Sequence, residues 1–206
     1  MKKKPMLRCT NDTSGVMGLT LSQLGLFLAT GILLAAVVSF VFFNSSQRVN
    51  ELRSCATDFS MLLNDMETRF IENTTRFQFP RQAYSYTIQL SSDYLVATAQ
   101  DFWGRDFHVT ERLLIEPWIR SSSENWTTGD DLHAYLYSTF GHYGTQNDSI
   151  ALENLSAVLQ QRNVSADFYA SHPFDVLLRE PVFVEKVIIY CENQQNYDIL
   201  LIYQGR

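Results

Sequence analysis

From Gly15 to Phe43 the sequence has no charged side chain. A helix on the surface of a water-soluble domain would not leave so long a stretch without charge. About 20 helical residues span the hydrocarbon core of a bilayer, so this run is long enough to cross one. It is too long for the short apolar segment of an ordinary secretory signal, and no A-x-A-like site follows it. Residues of catalytic chemistry are also sparse. The four histidines, His108, His133, His142 and His172, show neither H-x-x-H nor HExxH spacing, and no CxxC or Cys/His cluster accompanies them. The common zinc sites are thereby excluded, and no metal or other cofactor is expected. No G-x-S-x-G, phosphate-binding loop or G-x-G-x-x-G occurs, so nothing points to an enzyme. Glycine and proline are scarce while aromatics are plentiful, which excludes a disordered tail.

The charge is unevenly distributed. Lys2, Lys3, Lys4 and Arg8 precede the apolar run, with Asp12 the one acid among them. The rest of the chain carries 12 basic and 21 acidic residues. A body so acidic repels polyphosphate, and nucleic acid is excluded as a partner. The basic N-terminus predicts a cytoplasmic start, so everything after Phe43 is expected outside the cell. Two features agree. Seven of the eleven asparagines stand in Asn-x-Ser/Thr, where chance gives roughly two. Asn73, Asn125, Asn147, Asn154 and Asn163 are the expected glycan acceptors, Asn11 lying on the inner side and Asn44 too near the bilayer. The expected outer part also has an even pair of cysteines, Cys55 and Cys191, which either form a disulfide or remain two thiols.

After the apolar run, Val49, Leu52, Ala56, Phe59, Leu63, Met66 and Phe70 are spaced alternately by three and four, one apolar seam on a helix. With no Gly or Pro between Gly31 and Pro80, an amphipathic helix is expected over 44–79. The seam either packs on the chain's own head or forms a short coiled coil. Beyond Pro80 the pattern turns to strands at 83–90, 94–99, within 105–118, at 174–178, 182–190 and 197–203, with helices near 130–140 and 149–162. The fold class is α+β: a long N-terminal helix, then a mainly antiparallel sheet with helical inserts over 80–206. Were Cys55 and Cys191 joined, the last hairpin would be stapled to the long helix. Around "DFWGRDF", Phe102, Trp103 and Phe107 rim a tight turn or form an aromatic cluster for a sugar or partner. Glu180 and Glu185 read as the solvated face of a strand, and Asp130 and Asp131 as residues that favour a helix start.

The run opens "GLTLSQL" (18–24), and here the chain resembles the class III signal peptides of type IV pilins and of archaeal pilin-like and archaellin-like proteins. Those precursors carry a basic leader ending in Gly. A hydrophobic residue, a Thr or Ser, and a polar residue at position five of the mature helix follow. The resemblance makes 1–18 the leader, Gly18–Leu19 the cleavage site of a prepilin-type peptidase, 19–43 the transmembrane helix and Gln23 the polar position. It implies other pilin-like subunits as partners through the N-terminal helix, and the sequons suggest the archaeal branch. Bacterial pilins have Glu where Gln23 stands. Gln accepts a hydrogen bond but cannot neutralise a neighbour's amine, which favours a minor or accessory subunit. The alternative is an uncleaved single-pass anchor carrying an extracellular binding domain.

Overall fold

A computed structural model of the chain describes residues 13–101, 103–121, 124–192 and 195–205. The basic cluster, Cys9, Asn11 and Phe102 lie outside the described residues. The chain forms two compact units, Met1–Ser46 and Gln47–Arg206.

The first unit is helical. Helix α1 begins at Thr13 and runs to Thr68, across the boundary at Ser46. Every side chain from Thr20 to Phe40 is exposed, including Leu21, Leu24, Leu28, Leu33 and Phe40. The helix is long and apolar enough to cross a membrane.

The second unit is α+β. Its strands are β1 (Asn73–Phe77), β2 (Tyr86–Leu90), β3 (Tyr94–Gln100), β4 (Asp106–Arg112), β5 (Trp118–Arg120), β6 (Phe174–Val176), β7 (Val182–Tyr190) and β8 (Asn196–Gln204). Its further helices are α2 (Gly129–Phe140) and α3 (Leu152–Ser171). Two four-stranded sheets form, ordered β1-β7-β8-β5 and β4-β3-β2-β6, where one sheet was expected. All pairings are antiparallel except β5 on β8.

The apolar seam was read correctly as far as Met66. Leu52, Ala56, Phe59, Leu63 and Met66 are each at most 1% exposed, and they pack against this unit's own strands. Burial of each of the larger side chains, the leucines, Phe59 and Met66, contributes roughly 1.5–3 kcal/mol. The expected helix over 44–79 is too long, for α1 ends at Thr68 and residues 73–77 are a strand. Two things stop it. The seam loses its burial at Phe70, which is 96% exposed. Beyond it, Asn73–Phe77 pair with β7, which gives their backbone groups partners outside the helix. Phe77 and Phe79 then join Phe59 in an aromatic cluster, with ring centroids 4.9–5.3 Å apart. Helix α3 departs in the other direction. Expected at 149–162, it continues to Ser171, with no Gly or Pro to stop it before Pro173.

β7 and β8 separate two cores. Their alternate residues face opposite ways. Val182, Val184, Leu200 and Ile202 face the seam and the second sheet. Val187, Ile189, Ile199, Leu201 and Tyr203 face α2 and α3. Cys191 follows that second set by parity, whereas Cys55 belongs to the first core. The two sulfurs lie on opposite sides of a sheet, and both thiols are free and buried. The expected staple between Cys55 and Cys191 is thus absent, because a one-residue difference in strand parity moves a side chain to the other face.

Candidate functional site

In the first unit, Gly18 and Leu19 lie within helical backbone. Gln23, four residues on, is exposed, like the rest of the apolar surface around it. Small residues recur at Gly25 and Ala29 and again at Gly31 and Ala35, four apart, so each pair shares a face. A Cβ added at Gly25 or Gly31 would meet nothing within 4 Å. An apolar surface notched by small residues suits both lipid and a second helix brought close.

In the second unit, Asp101 and Trp103–Arg105 belong to the tight turn between β3 and β4. Asp101 Oδ1 accepts from the backbone N–H of Trp103 (2.8 Å) and Arg105 (2.9 Å), and Oδ2 from Arg105 Nε (2.9 Å). Gly104 closes the turn at φ 75°, where a side chain would be strained. These hydrogen bonds, first of all that from the Arg105 backbone, hold the Asp101 carboxyl below its ordinary pKa. Trp103 is 67% exposed at the tip, while Phe107 is half-buried against the first core. Phe102, the third aromatic residue expected here, lies outside the described residues.

Beside this turn lies an open hollow of about 610 Å³, lined by Arg48, Tyr84, Tyr86, Gln100, Asp101 and Asp106 among others. Arg48 lies 5.0 Å over the Tyr84 ring and donates to Gln100 O at 3.0 Å. Tyr84 donates to Arg48 O at 3.2 Å, and burial together with Glu51 pushes its hydroxyl up to about 12. Arg48, Tyr84 and the Gln100 carbonyl are thus engaged with one another.

A second polar centre escaped the sequence reading. Arg120, 6% exposed, lies 3.6 Å over the Trp126 ring and 5.3 Å from that of Trp118. It donates to Trp126 O at 2.7 Å and pairs with Glu124. Burial pushes its pKa below the ordinary arginine value, against the opposing pull of Glu124. Trp–Arg pairings two and six residues apart carry no sequence signal, because only the fold brings the Trp126 ring over the guanidinium.

Glu185 corrects an expectation. It is not a solvated residue: its Oε2 accepts from Gly129 N and Tyr203 Oη, each at 3.0 Å. The carboxylate thus sits at the start of α2, where the N-terminal N–H groups favour negative charge. Asp131 completes a capping box with Thr128, as acidic residues at a helix start promise.

The histidines stay apart. His133 Nδ1 meets Tyr143 O and His142 Nδ1 meets Asp148, each at 2.7 Å, while His108 Nδ1 meets Thr98 Oγ1 at 2.9 Å. His172 stacks on Phe168. Among the described residues no group of three or more His, Cys, Asp or Glu is placed to hold a metal ion. Of the five expected glycan acceptors, Asn125, Asn147 and Asn163 are exposed, while Asn73 in β1 and Asn154 in α3 are half-buried. No family model, curated protein or solved structure matches the chain.

Proposed function

We propose that the protein is a pilin-like structural subunit, of the minor or accessory kind, of a type IV-pilus-like surface filament. The observation that carries this reading is "GLTLSQL" at the head of a charge-free helix, in a chain that continues into a seam buried under an α+β head. A prepilin-type peptidase cuts between Gly18 and Leu19. Before assembly the helix lies in the membrane, apolar all round. After assembly the same surface packs on copies of itself or on other pilin-like subunits, with Gly25, Ala29, Gly31 and Ala35 allowing close approach. The head faces the outside and carries N-glycans. The protein works by assembly, and no enzymatic step is assigned to it.

One observation favours a second reading, an uncleaved anchor that presents a binding head. Gln23 cannot neutralise the free amine of Leu19 on a neighbouring subunit, as a carboxylate would. Mass spectrometry of the N-terminus of protein from its native membrane separates the two. A chain that begins at Leu19 supports the pilin reading. A chain that retains Lys2–Arg8 overturns it in favour of the anchor.

A further inference from the structure

We propose that the hollow beside Asn125 is the seat of a glycan carried by Asn125 itself, which packs back onto the head rather than standing free in solvent. The inference rests on the reading that the head faces outside the cell.

The sequon Asn125-Trp126-Thr127 is held by its middle residue. Trp126 is 4% exposed, edge-on to Trp118 at 4.7 Å, with the Arg120 guanidinium over its ring and on its carbonyl. Asn125, next to this anchor, is exposed. Its position relative to the core is therefore fixed, although it lies in a loop. An oligosaccharide transferred to Asn125 before Trp126 docks would be carried into one place as the head folds.

That place is a hollow of about 370 Å³ lined by Arg120, Glu124, Asn125, Trp126, Tyr135 and Gln161. It is at the small end of the ~300–1,000 Å³ range of ligand pockets. Residues 124–126 after β5, α2 through Tyr135 and α3 through Gln161 build it together with Arg120 of β5. The lining suits a sugar. The Tyr135 ring, 6.4 Å from that of Trp126 and tilted by 31°, offers an aromatic face to the C–H side of a pyranose. Gln161, also in the lining, donates from Nε2 to Tyr135 Oη at 3.0 Å and holds that ring. The Glu124 carboxylate supplies an acceptor for hydroxyl groups. Because the acceptor asparagine stands on the rim, the sugar is held at high effective concentration, and shallow contacts suffice to seat it.

The test uses the full chain in detergent, made in a host that glycosylates it natively and in one without N-glycosylation. Glycopeptide mass spectrometry reads occupancy, and thermal unfolding reads the seat. The expected result is an occupied Asn125, with Asn125→Gln lowering Tm by about 2–4 °C in glycosylated protein and leaving it unchanged in unglycosylated protein. Tyr135→Ala should abolish that difference. Gln161→Ala, on the exposed wall, should reduce it and serves if Tyr135→Ala does not fold. An empty Asn125 in a chain whose Asn147 or Asn163 is occupied overturns the seat and leaves the outward-facing head standing. A chain with no occupied sequon in the glycosylating host overturns both. An occupied Asn125 whose removal leaves Tm unchanged, or whose effect survives Gln161→Ala and Tyr135→Ala in full, overturns the seat.

Discussion

Lys186 Nζ lies 2.6 Å from Asp198 Oδ2, and the same nitrogen donates to the main-chain carbonyls of Glu67 and Arg69, each at 2.6 Å. The lysine side chain is 1% exposed. A buried ammonium with three acceptors is fully satisfied, and two of those acceptors are carbonyls at the C-terminal end of α1, where the helix leaves them without partners. The positive charge also matches the negative end of the helix dipole. Lys186 therefore ties the end of the long helix to the centre of the first sheet.

Replacing Lys186 with Met strands two carbonyls and the Asp198 carboxylate. We expect a loss of about 2–4 kcal/mol. Asp198 is 40% exposed and can rehydrate, so Asp198→Asn should cost less, about 1 kcal/mol. Urea unfolding of the full chain in detergent reads both, as lower midpoints at unchanged slope. A Lys186→Met protein as stable as the parent would remove this role.

Alkaline pH should weaken the head through groups that are neutral when protonated. Burial, with help from Asp58, pushes the Cys55 thiol up from 9.0 to about 11. Burial and Glu51 push Tyr84 up from 10.0 to about 12, and burial raises Tyr86 as well. The folded state holds these protons more tightly than the unfolded state. Their contribution is therefore complete below the unfolded values and is lost as pH rises through the folded ones. Tm should be level up to about pH 9 and fall between about pH 9 and 12. Cys55→Ala should remove the lower part of that fall.

The same cysteines make a redox prediction. With both thiols free and on opposite sides of the sheet, a reducing agent should leave Tm unchanged. Thiol reagents should label Cys55 and Cys191 only on unfolding, because a buried, protonated sulfur is a poor nucleophile. A mass deficit of two hydrogens in the native chain would contradict this.

Gly129 tests the start of α2. A Cβ there would meet Glu185 Oε1 at 2.6 Å and Val187 Cγ2 at 2.7 Å. The glycine is needed for close approach, since the carboxylate accepts from its own N–H. Gly129→Ala should cost about 1–3 kcal/mol by overpacking. Glu185→Gln leaves the space open and should cost less, because an amide oxygen still accepts. Equal losses in the two variants would point away from the steric cause.

Charge placed in the apolar run tests the membrane assignment. Leu28 and Leu33 are 61% and 65% exposed on α1. Arginine near the centre of a spanning helix costs about 2.5–3.5 kcal/mol per residue on insertion. The double variant Leu28→Arg/Leu33→Arg should move the protein out of the carbonate-resistant membrane fraction, where the parent is expected. A parent already soluble in carbonate would end the membrane reading.

Much of this architecture was legible in the sequence, for reasons that differ by element. The charge-free run from Gly15 to Phe43, the three-four seam from Val49 to Met66 and the alternation of Tyr86, Ile88 and Leu90 in β2 are local signals, in which side-chain period states the element and, for the seam and β2, its buried face. Tertiary structure decided the rest. Residues 73–77 follow a helical seam without a break in composition, and only the free edge of β7 made them a strand. Cys55 and Cys191 form an even pair in sequence, yet parity placed a sheet between them. Glu185 was expected on the solvated face of a strand, and Lys186 and Arg120 carried no expectation. Each became an anchor, Lys186 and Arg120 buried and Glu185 half-buried, because the fold brought it carbonyls, N–H groups or rings, partners that no spacing along the chain reveals.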